Sequence, residues 1–239
     1  MARKELYIRG NSIDIQPDYI HIEKGQTVSF STYFNLFSVD KWKKYTSIQS
    51  VKLQLHINGK YEVTIYCVTS NNKKIIFTDT CQNDLEKVIS LSDCSGNFLV
   101  FTIRALENDV KIWNGSYLGE FEEAQDINIG IIICTFKRED YVKRNLRTLQ
   151  TLMKENPHFH VMIIDNGQTL PEIRNKQLQV IHNRNYGGSG GFTRGLIEQV
   201  NQGANDYVLM MDDDILIETS SLERVYSLCR HIKSQYAQQ

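Results

Sequence analysis

The hydrophobic residues follow one pattern before about residue 120 and another after it. In the first part, short runs of β-branched and aromatic residues are separated by turn residues. From Val51 to Ile57 every second residue is apolar, as expected for a strand with one buried face. Asn58-Gly59 follows and predicts a hairpin, because both residues tolerate positive φ. These runs predict an all-β domain over residues 1–122, an antiparallel β-sandwich of jelly-roll-like form.

After about residue 125 the pattern changes to alternating strands and helices. The almost continuous apolar run at 127–136 predicts a strand covered on both faces. Further strands are predicted at FHVMIIDNG, QVIHN and DYVLMM, helices at EDYVKRNLRTLQTLMKE, FTRGLIEQVNQ and LERVYSLCRHIKSQY, and a glycine loop at NRNYGGSGG. This order predicts an α/β domain over residues 123–239, with a Rossmann-like parallel αβα sheet that binds ligands at the carboxyl ends of its strands.

Composition narrows the class of protein. The chain has 239 residues, 41% of them hydrophobic, which is enough to form real cores. The 27 basic and 28 acidic residues nearly balance, so nothing in the net charge selects a nucleic acid partner. The five cysteines form no CxxC pair, which argues against a zinc ribbon and favours a reducing compartment. No apolar segment resembles a signal peptide or a membrane span, so the sequence predicts a cytoplasmic protein.

Polar residues follow each strand of the second half. They are Thr135 and Arg138 after the first strand, Asp165 and Asn166 after the second, Asn183, Asn185 and the glycines from Gly187 after the third, and Asp212, Asp213 and Asp214 after the fourth. Three adjacent carboxylates repel one another unless a cation or solvent neutralises them. An Asp-Asn pair suits the edge of a base, an arginine suits a diphosphate, and carboxylates suit a divalent cation. The sequence therefore predicts a site for a nucleotide diphosphate and a metal ion.

Four motifs in the second half carry a resemblance to a known family, namely CTFKRED, IIDNG, NRNYGGSGGFTRG and MMDDDI. In this order they resemble the family 2 glycosyltransferases of GT-A fold. With STYFNLF and DKWKKYT in the first half, the chain is more narrowly similar to bacterial galactofuranosyltransferases that polymerise galactan. That resemblance implies an amino-terminal β-sandwich followed by an incomplete GT-A domain, the amino-terminal portion of the nucleotide-sugar-binding domain.

The resemblance also implies a role for each motif residue. Thr135 and Arg138 would line the nucleotide pocket, Asp165 and Asn166 would contact uracil, and Asn185, Gly187 and Gly188 would approach the ribose or sugar. Asp212 and Asp214 would hold Mn²⁺ or Mg²⁺, and Asp213 would lie near the donor sugar. The catalytic base is unknown, because the family's aspartate and a metal-binding histidine would lie beyond Gln239. These 239 residues are therefore expected to be a truncated fragment that binds nucleotide without turnover.

The implied activity is inverting transfer of galactofuranose from a UDP-sugar donor to a glycan acceptor that is lipid-linked and lies at the cytoplasmic leaflet. Peripheral association with the inner face of the membrane and homo-oligomerisation are expected with it. Another donor, such as a UDP-hexose or dTDP-rhamnose, remains an alternative within the same fold.

A second alternative is a non-catalytic carbohydrate-binding or scaffold protein. Aromatic residues of the first half could stack on sugar rings or could simply pack in the core, and they are Tyr33, Phe34, Phe37, Trp42 and Trp113. The three aspartates could likewise be a solvated turn, and GGSGG a flexible linker. His158 and His160 have no third ligand nearby and are interpreted as surface histidines.

Overall fold

The computed structural model describes residues 4–122 and 124–237. Contacts divide the chain into two compact units, one formed by residues up to Ala124 together with those from His231 onward, the other by Gln125–Arg230. Residue 123, at the predicted domain boundary, lies outside the described residues. The predicted second domain, 123–239, includes the segment from His231, whereas contacts group that segment with the first unit.

The first unit is built almost entirely from strands. After a 3₁₀ turn at Lys4–Leu6, its elements are β1 (Asp14–Ile15), β2 (Ile20–Ile22), β3 (Thr27–Ser29), β4 (Phe37–Ser38), α1 (Val39–Tyr45), β5 (Ser50–Asn58), β6 (Lys60–Val68), β7 (Lys73–Gln82), β8 (Leu85–Ser90), β9 (Phe98–Ala105) and β10 (Val110–Gly119). They form two antiparallel sheets, in the orders β1-β2-β10-β5-β8 and β3-β9-β6-β7, with β4 beside β9.

Both sheets contribute to one hydrophobic core. Leu53 and Leu55 from β5 pack in the same buried cluster as Val63 and Ile65 from β6. The alternation between Val51 and Ile57 therefore identifies the buried face of β5 correctly, since Lys52, Gln54 and His56 are not buried. Two antiparallel sheets around one core are what a β-sandwich requires, and the jelly-roll topology stays a prediction.

The predicted hairpin at Asn58-Gly59 is wrong. Gly59 does have positive φ, at 103°, as the turn signal implies. However, β5 pairs with β10 and β8, whereas β6 pairs with β7 and β9. The chain crosses from one sheet to the other at this turn, because each strand has an apolar face that is buried when the two strands lie on opposite sides of one core.

A disulfide joins Cys67 at the end of β6 to Cys94 in the loop after β8. The cysteine spacing did not predict this pair. Because disulfides are rare in reducing compartments, cysteine usage no longer supports the predicted compartment. Among the described residues, no helix is both long and apolar enough to cross a membrane.

The second unit alternates strands and helices as predicted. Its elements are β11 (Ile129–Thr135), α2 (Glu139–Glu155), β12 (Phe159–Asp165), β13 (Ile173–Arg174), β14 (Leu178–His182), α3 (Gly187–Gln202), β15 (Tyr207–Asp212) and α4 (Thr219–Arg230). The predicted last helix ends at Arg230, and a separate short helix α5 (Ser234–Ala237) follows.

The sheet of this unit has the order β13-β14-β12-β11-β15. All its pairings are parallel except that of the two-residue strand β13. The chain runs from β11 through β12 to β14 on one side and then returns to place β15 on the other side of β11. Such a reversal of strand order opens a crevice at the carboxyl ends of the strands.

The glycine segment is part of a helix and not the predicted loop, because α3 begins at Gly187. Gly191 and Gly195 lie one turn apart on the face of α3 that contacts β11. A Cβ on Gly195 would lie 2.5 Å from Ile132 Cγ2, and a Cβ on Gly191 would collide with Cys134 Sγ. The glycines therefore let the helix approach the strand closely, which outweighs their low helix propensity.

The Gly195 contact predicts the effect of one added methyl group. We expect Gly195→Ala to destabilise the second unit by about 1–3 kcal/mol, because Ile132 is fully buried and the methyl group overpacks the interface. Differential scanning calorimetry would detect this as a lower Tm.

Gly188→Ala is the matched control, since a Cβ there meets nothing within 4 Å and the residue lies in the same helix. Equal Tm values for the two variants would contradict the close helix–strand approach.

Candidate functional site

The carboxyl ends of β11 and β15 meet at a buried aspartate. Cys134 on β11 pairs with Asp212 on β15, so the residues that follow them, Thr135 and Asp213, are also neighbours. Asp213 is only 6% exposed, and one of its carboxylate oxygens accepts a hydrogen bond of 2.7 Å from Thr135 Oγ1. Two motifs that lie 78 residues apart in the chain are thereby joined at the point where the strand order reverses.

Arg138 supplies positive charge to this cluster. One of its terminal nitrogens donates to an Asp213 oxygen at 3.3 Å and to an Asp214 oxygen at 2.6 Å. The contacts with Asp214 and Asp213 raise the pKa of Arg138. The repulsion among the adjacent carboxylates is therefore offset by the positive charge of Arg138, which lies in the turn between β11 and α2.

Helix α2 holds the aspartate turn through residues that sequence reasoning missed. Asn145 Nδ2 donates to the backbone oxygen of Asp213 at 2.8 Å, and Arg144 donates to the backbone oxygen of Ile215 at 2.7 Å. Asn145 is 2% exposed. Asn145 lies on the apolar face of α2, three residues after Val142. A polar residue on the buried face of a helix indicates a hydrogen-bonding partner inside the protein, and this pattern could have identified Asn145 from the sequence.

Asp165 fixes the loop after β12. Its carboxylate accepts hydrogen bonds from the backbone amides of Gly167 at 2.9 Å, Thr169 at 2.7 Å and Leu170 at 2.8 Å. The residue is fully buried, at 0% exposure. In this structure Asp165 therefore acts on the loop backbone, and its predicted contact with uracil stays a prediction.

Asn166 connects three parts of the site. Its backbone amide donates to the Thr135 oxygen at 2.9 Å, and its side-chain nitrogen donates to the Gly187 oxygen at 3.0 Å. Its side-chain oxygen accepts from Asn183 Nδ2 at 2.9 Å. The ends of β11, β12 and β14 and the start of α3 are thereby held together.

The thiol of Cys134 lies beside this network, against Asn166 Nδ2 at 3.5 Å. Burial raises the pKa of Cys134, and the nearby Asp213 raises it further. The thiol is therefore neutral, and it packs between β11 and Gly191 of α3.

The remaining predicted residues are accessible to solvent. Asp212 is exposed at the last position of β15, and the side chain of Asp214 is 48% exposed. Asn185 Oδ1 accepts from the Gly187 amide at 3.1 Å, just before α3, and Gly188 borders open space. These groups are the solvent-accessible members of the predicted site, whereas Thr135 and Asp213 are its buried members.

No cluster of three or more metal-binding side chains occurs in residues 4–122 and 124–237. His160 Nδ1 lies 2.6 Å from Asn205 Oδ1, and His158 Nδ1 lies 3.3 Å from Asn128 Oδ1. Both histidines therefore have amide partners near the amino end of β12, and His158 Nδ1 also lies 3.6 Å from an Asp126 oxygen, at the end of the strand opposite to Asp212–Asp214.

A mostly parallel sheet with polar groups at a strand-order reversal is typical of α/β domains that bind a ligand at the carboxyl ends of their strands. Residues 130–237 match the model of glycosyl transferase family 2, and residues 9–120 match the galactofuranosyltransferase 2 N-terminal domain. The second half of the chain therefore carries a glycosyl transferase family 2 domain, as the four motifs predicted, and the first half carries the additional amino-terminal domain.

Two curated relatives are similar over most of the chain. Galactofuranosyltransferase GlfT2 of Mycobacterium tuberculosis is 27% identical over 87% of this chain. Galactofuranosyltransferase GlfT2 of Mycolicibacterium smegmatis is 26% identical over the same share. The chain spans 35% of the length of each relative. Among solved structures, the match to a family 6 carbohydrate-binding module covers 50% of this chain and 92% of that module, with 15% identity and a TM-score of 0.30.

Loss of the Asn145 hydrogen bond should loosen the aspartate turn. Asn145→Leu keeps a similar volume but leaves the buried Asp213 oxygen without this donor, which costs about 1–3 kcal/mol. Hydrogen–deuterium exchange of the peptide 207–218 should then be about tenfold faster or more.

Lys143→Ala serves as the control for the exchange measurement, because this residue is exposed on the same helix. Unchanged exchange in Asn145→Leu would show that α2 does not hold the turn.

Proposed function

We propose that the chain is the donor-binding part of an enzyme that transfers galactofuranose from UDP-galactofuranose, with inversion, to a cell-envelope or capsular glycan. The observation that carries the proposal is the contact of Thr135 and Arg138 with Asp213 in a family 2 domain. The amino-terminal domain match and the names of the two relatives favour galactofuranose as the sugar. The proposed fold is a β-sandwich followed by the first part of a GT-A domain.

The nucleotide would lie along the carboxyl ends of the strands. Asn185 offers an exposed amide group, and Gly187 and Gly188 allow close approach of the ligand. Asn166 would contact the base only by exchanging one of its hydrogen bonds with Gly187 and Asn183. Asp165 would contribute by holding the loop after β12 in place. We expect Arg138 to exchange its bond with Asp214 for a diphosphate oxygen, since a guanidinium group pairs with either anion.

The donor set fits a hard divalent cation. Asp212 and Asp214 offer accessible carboxylate oxygens, and Mg²⁺ or Mn²⁺ binds one or two carboxylates together with substrate phosphates. Such an ion supplies charge neutralisation for a departing diphosphate. Asp213 is less available as a ligand, because Thr135 and Arg138 occupy its oxygens. We expect Asp213 to position the turn and to face the donor sugar.

In the proposed displacement, the acceptor hydroxyl oxygen attacks the anomeric carbon from the face opposite UDP. The proton must pass to a base, which the family resemblance puts downstream of this segment. The expectation that these 239 residues bind nucleotide without turnover stays a prediction. The same proposal includes a lipid-linked acceptor, a cytoplasmic location with peripheral membrane association, and a homo-oligomer.

Titration calorimetry with UDP and with dTDP, each with and without Mn²⁺, tests the donor site. We expect UDP to bind more tightly than dTDP and Mn²⁺ to increase the affinity. Asp212→Ala and Asp214→Ala should each remove most of the increase due to Mn²⁺, because each deletes one of the two accessible carboxylates. Arg138→Ala should weaken UDP binding by about tenfold or more, the effect of losing a charge-assisted hydrogen bond.

Asp126→Ala is the matched control, since its carboxylate is 91% exposed and lies before β11, at the other end of the strand. Tighter binding of dTDP would favour the dTDP-rhamnose alternative. Absence of binding by either nucleotide, with Mn²⁺ present, would contradict the proposed donor site. Transfer of galactofuranose by the 239 residues alone would contradict the expected lack of turnover.

A further inference from the structure

A β-bulge in the first unit turns a tryptophan outward. The pairing of β10 with β5 shifts register between Ile112 and Asn114, so Trp113 is the extra residue. Its side chain is 41% exposed, and its ring lies 6.2 Å from that of Tyr19. Bulges commonly redirect a side chain. By contrast, Phe37 is part of the core and Trp42 stacks on it, so the aromatic residues of this domain divide into packing and exposed sets.

The tryptophan borders a groove on the outer face of β5, β8 and β10. A cavity of about 540 Å³ is lined by Trp113, Asn58 and Asn83, among others. A second cavity of about 220 Å³ shares His56 and Asp84 with the first. The larger one falls within the roughly 300–1,000 Å³ typical of small-molecule sites.

The polar groups of the groove are paired with one another or with the backbone. His56 Nδ1 lies 2.7 Å from an Asp84 oxygen, and the other Asp84 oxygen accepts from the Ile57 amide at 2.9 Å. Glu86 accepts from Gln54 at 2.7 Å and lies 3.1 Å from Lys52 Nζ. Hydrogen bonds to these partners lower the pKa of both Asp84 and Glu86. The groove therefore presents oriented acceptors and amide donors beside an aromatic face.

This combination restricts the chemistry of a ligand. An anionic ligand would approach Asp84 and Glu86 and be repelled. A purely apolar ligand would cover these carboxylates without giving them hydrogen bonds, which is costly. A chain of hydroxylated rings satisfies both demands, because each hydroxyl donates and accepts and the C–H face of a ring packs on an indole.

We propose that the groove around Trp113, His56 and Asp84 binds a neutral oligosaccharide. The site belongs to the first unit, so it does not rest on the proposed donor site of the second unit. It would let the first unit hold a glycan chain.

The test is titration of the 239-residue protein, with and without UDP and Mn²⁺ present, with a galactofuranosyl tetrasaccharide, cellotetraose and an anionic hyaluronan tetrasaccharide. At least one neutral tetrasaccharide should bind, and more tightly than hyaluronan. Trp113→Ala should weaken that binding by about tenfold or more, as loss of a central aromatic contact does. Asp84→Asn should weaken it too, because the variant keeps an acceptor for the Ile57 amide but loses the carboxylate beside His56.

Tyr33→Ala is the matched control, because Tyr33 is an aromatic residue that is 82% exposed and does not line the groove. Its oligosaccharide affinity should equal that of the unchanged protein. Circular dichroism should give the same Tm for all three variants, and UDP affinity should be unchanged in each, which separates this site from the donor site. Failure of both neutral tetrasaccharides to bind, binding unaffected by Trp113→Ala, or preference for hyaluronan would each overturn the proposal.

Discussion

The candidate donor site depends on one buried carboxylate. Asp213 is 6% exposed and is held by Thr135 at the end of β11 and by Arg138 just before α2, while Asn145 of α2 holds its backbone oxygen. A buried carboxylate is stable only when hydrogen bonds and a positive charge compensate its lost hydration. These contacts fix the direction of the whole aspartate turn, and they leave Asp212 and much of Asp214 facing solvent, where a ligand could reach them.

The geometry of the candidate donor site also depends on how closely α3 approaches the sheet. Gly191 and Gly195 leave no room for a Cβ against Cys134 and Ile132, so the helix lies close to the sheet beside the end of β11. Asn166 then reaches the Gly187 oxygen at the start of that helix. Glycines that weaken an isolated helix are here the condition for its packing against the sheet.

In the first unit, Asn58-Gly59 correctly predicted a turn but wrongly predicted a hairpin. Gly59 has the positive φ that Asn-Gly predicts, yet the turn carries the chain between two sheets. The crossing leaves β5 with a polar outer face, and β8 and β10 on either side of it complete the groove. The inner face of β5 thus packs in the core, and its outer face forms part of the proposed glycan-binding groove.

The sequence by itself determined the periodic elements and the family of the second domain. The bounds of α2 agree with the helical spacing, and the four motifs gave glycosyl transferase family 2, because periodicity and local motifs depend on neighbouring residues. Strand pairing across the turn at Gly59, the helical state of residues 187–191, the Cys67–Cys94 disulfide and the role of Asn145 were decided only by the tertiary structure. Each of these depends on a contact between residues that are distant in the chain, and a local sequence pattern does not specify which distant residues come into contact.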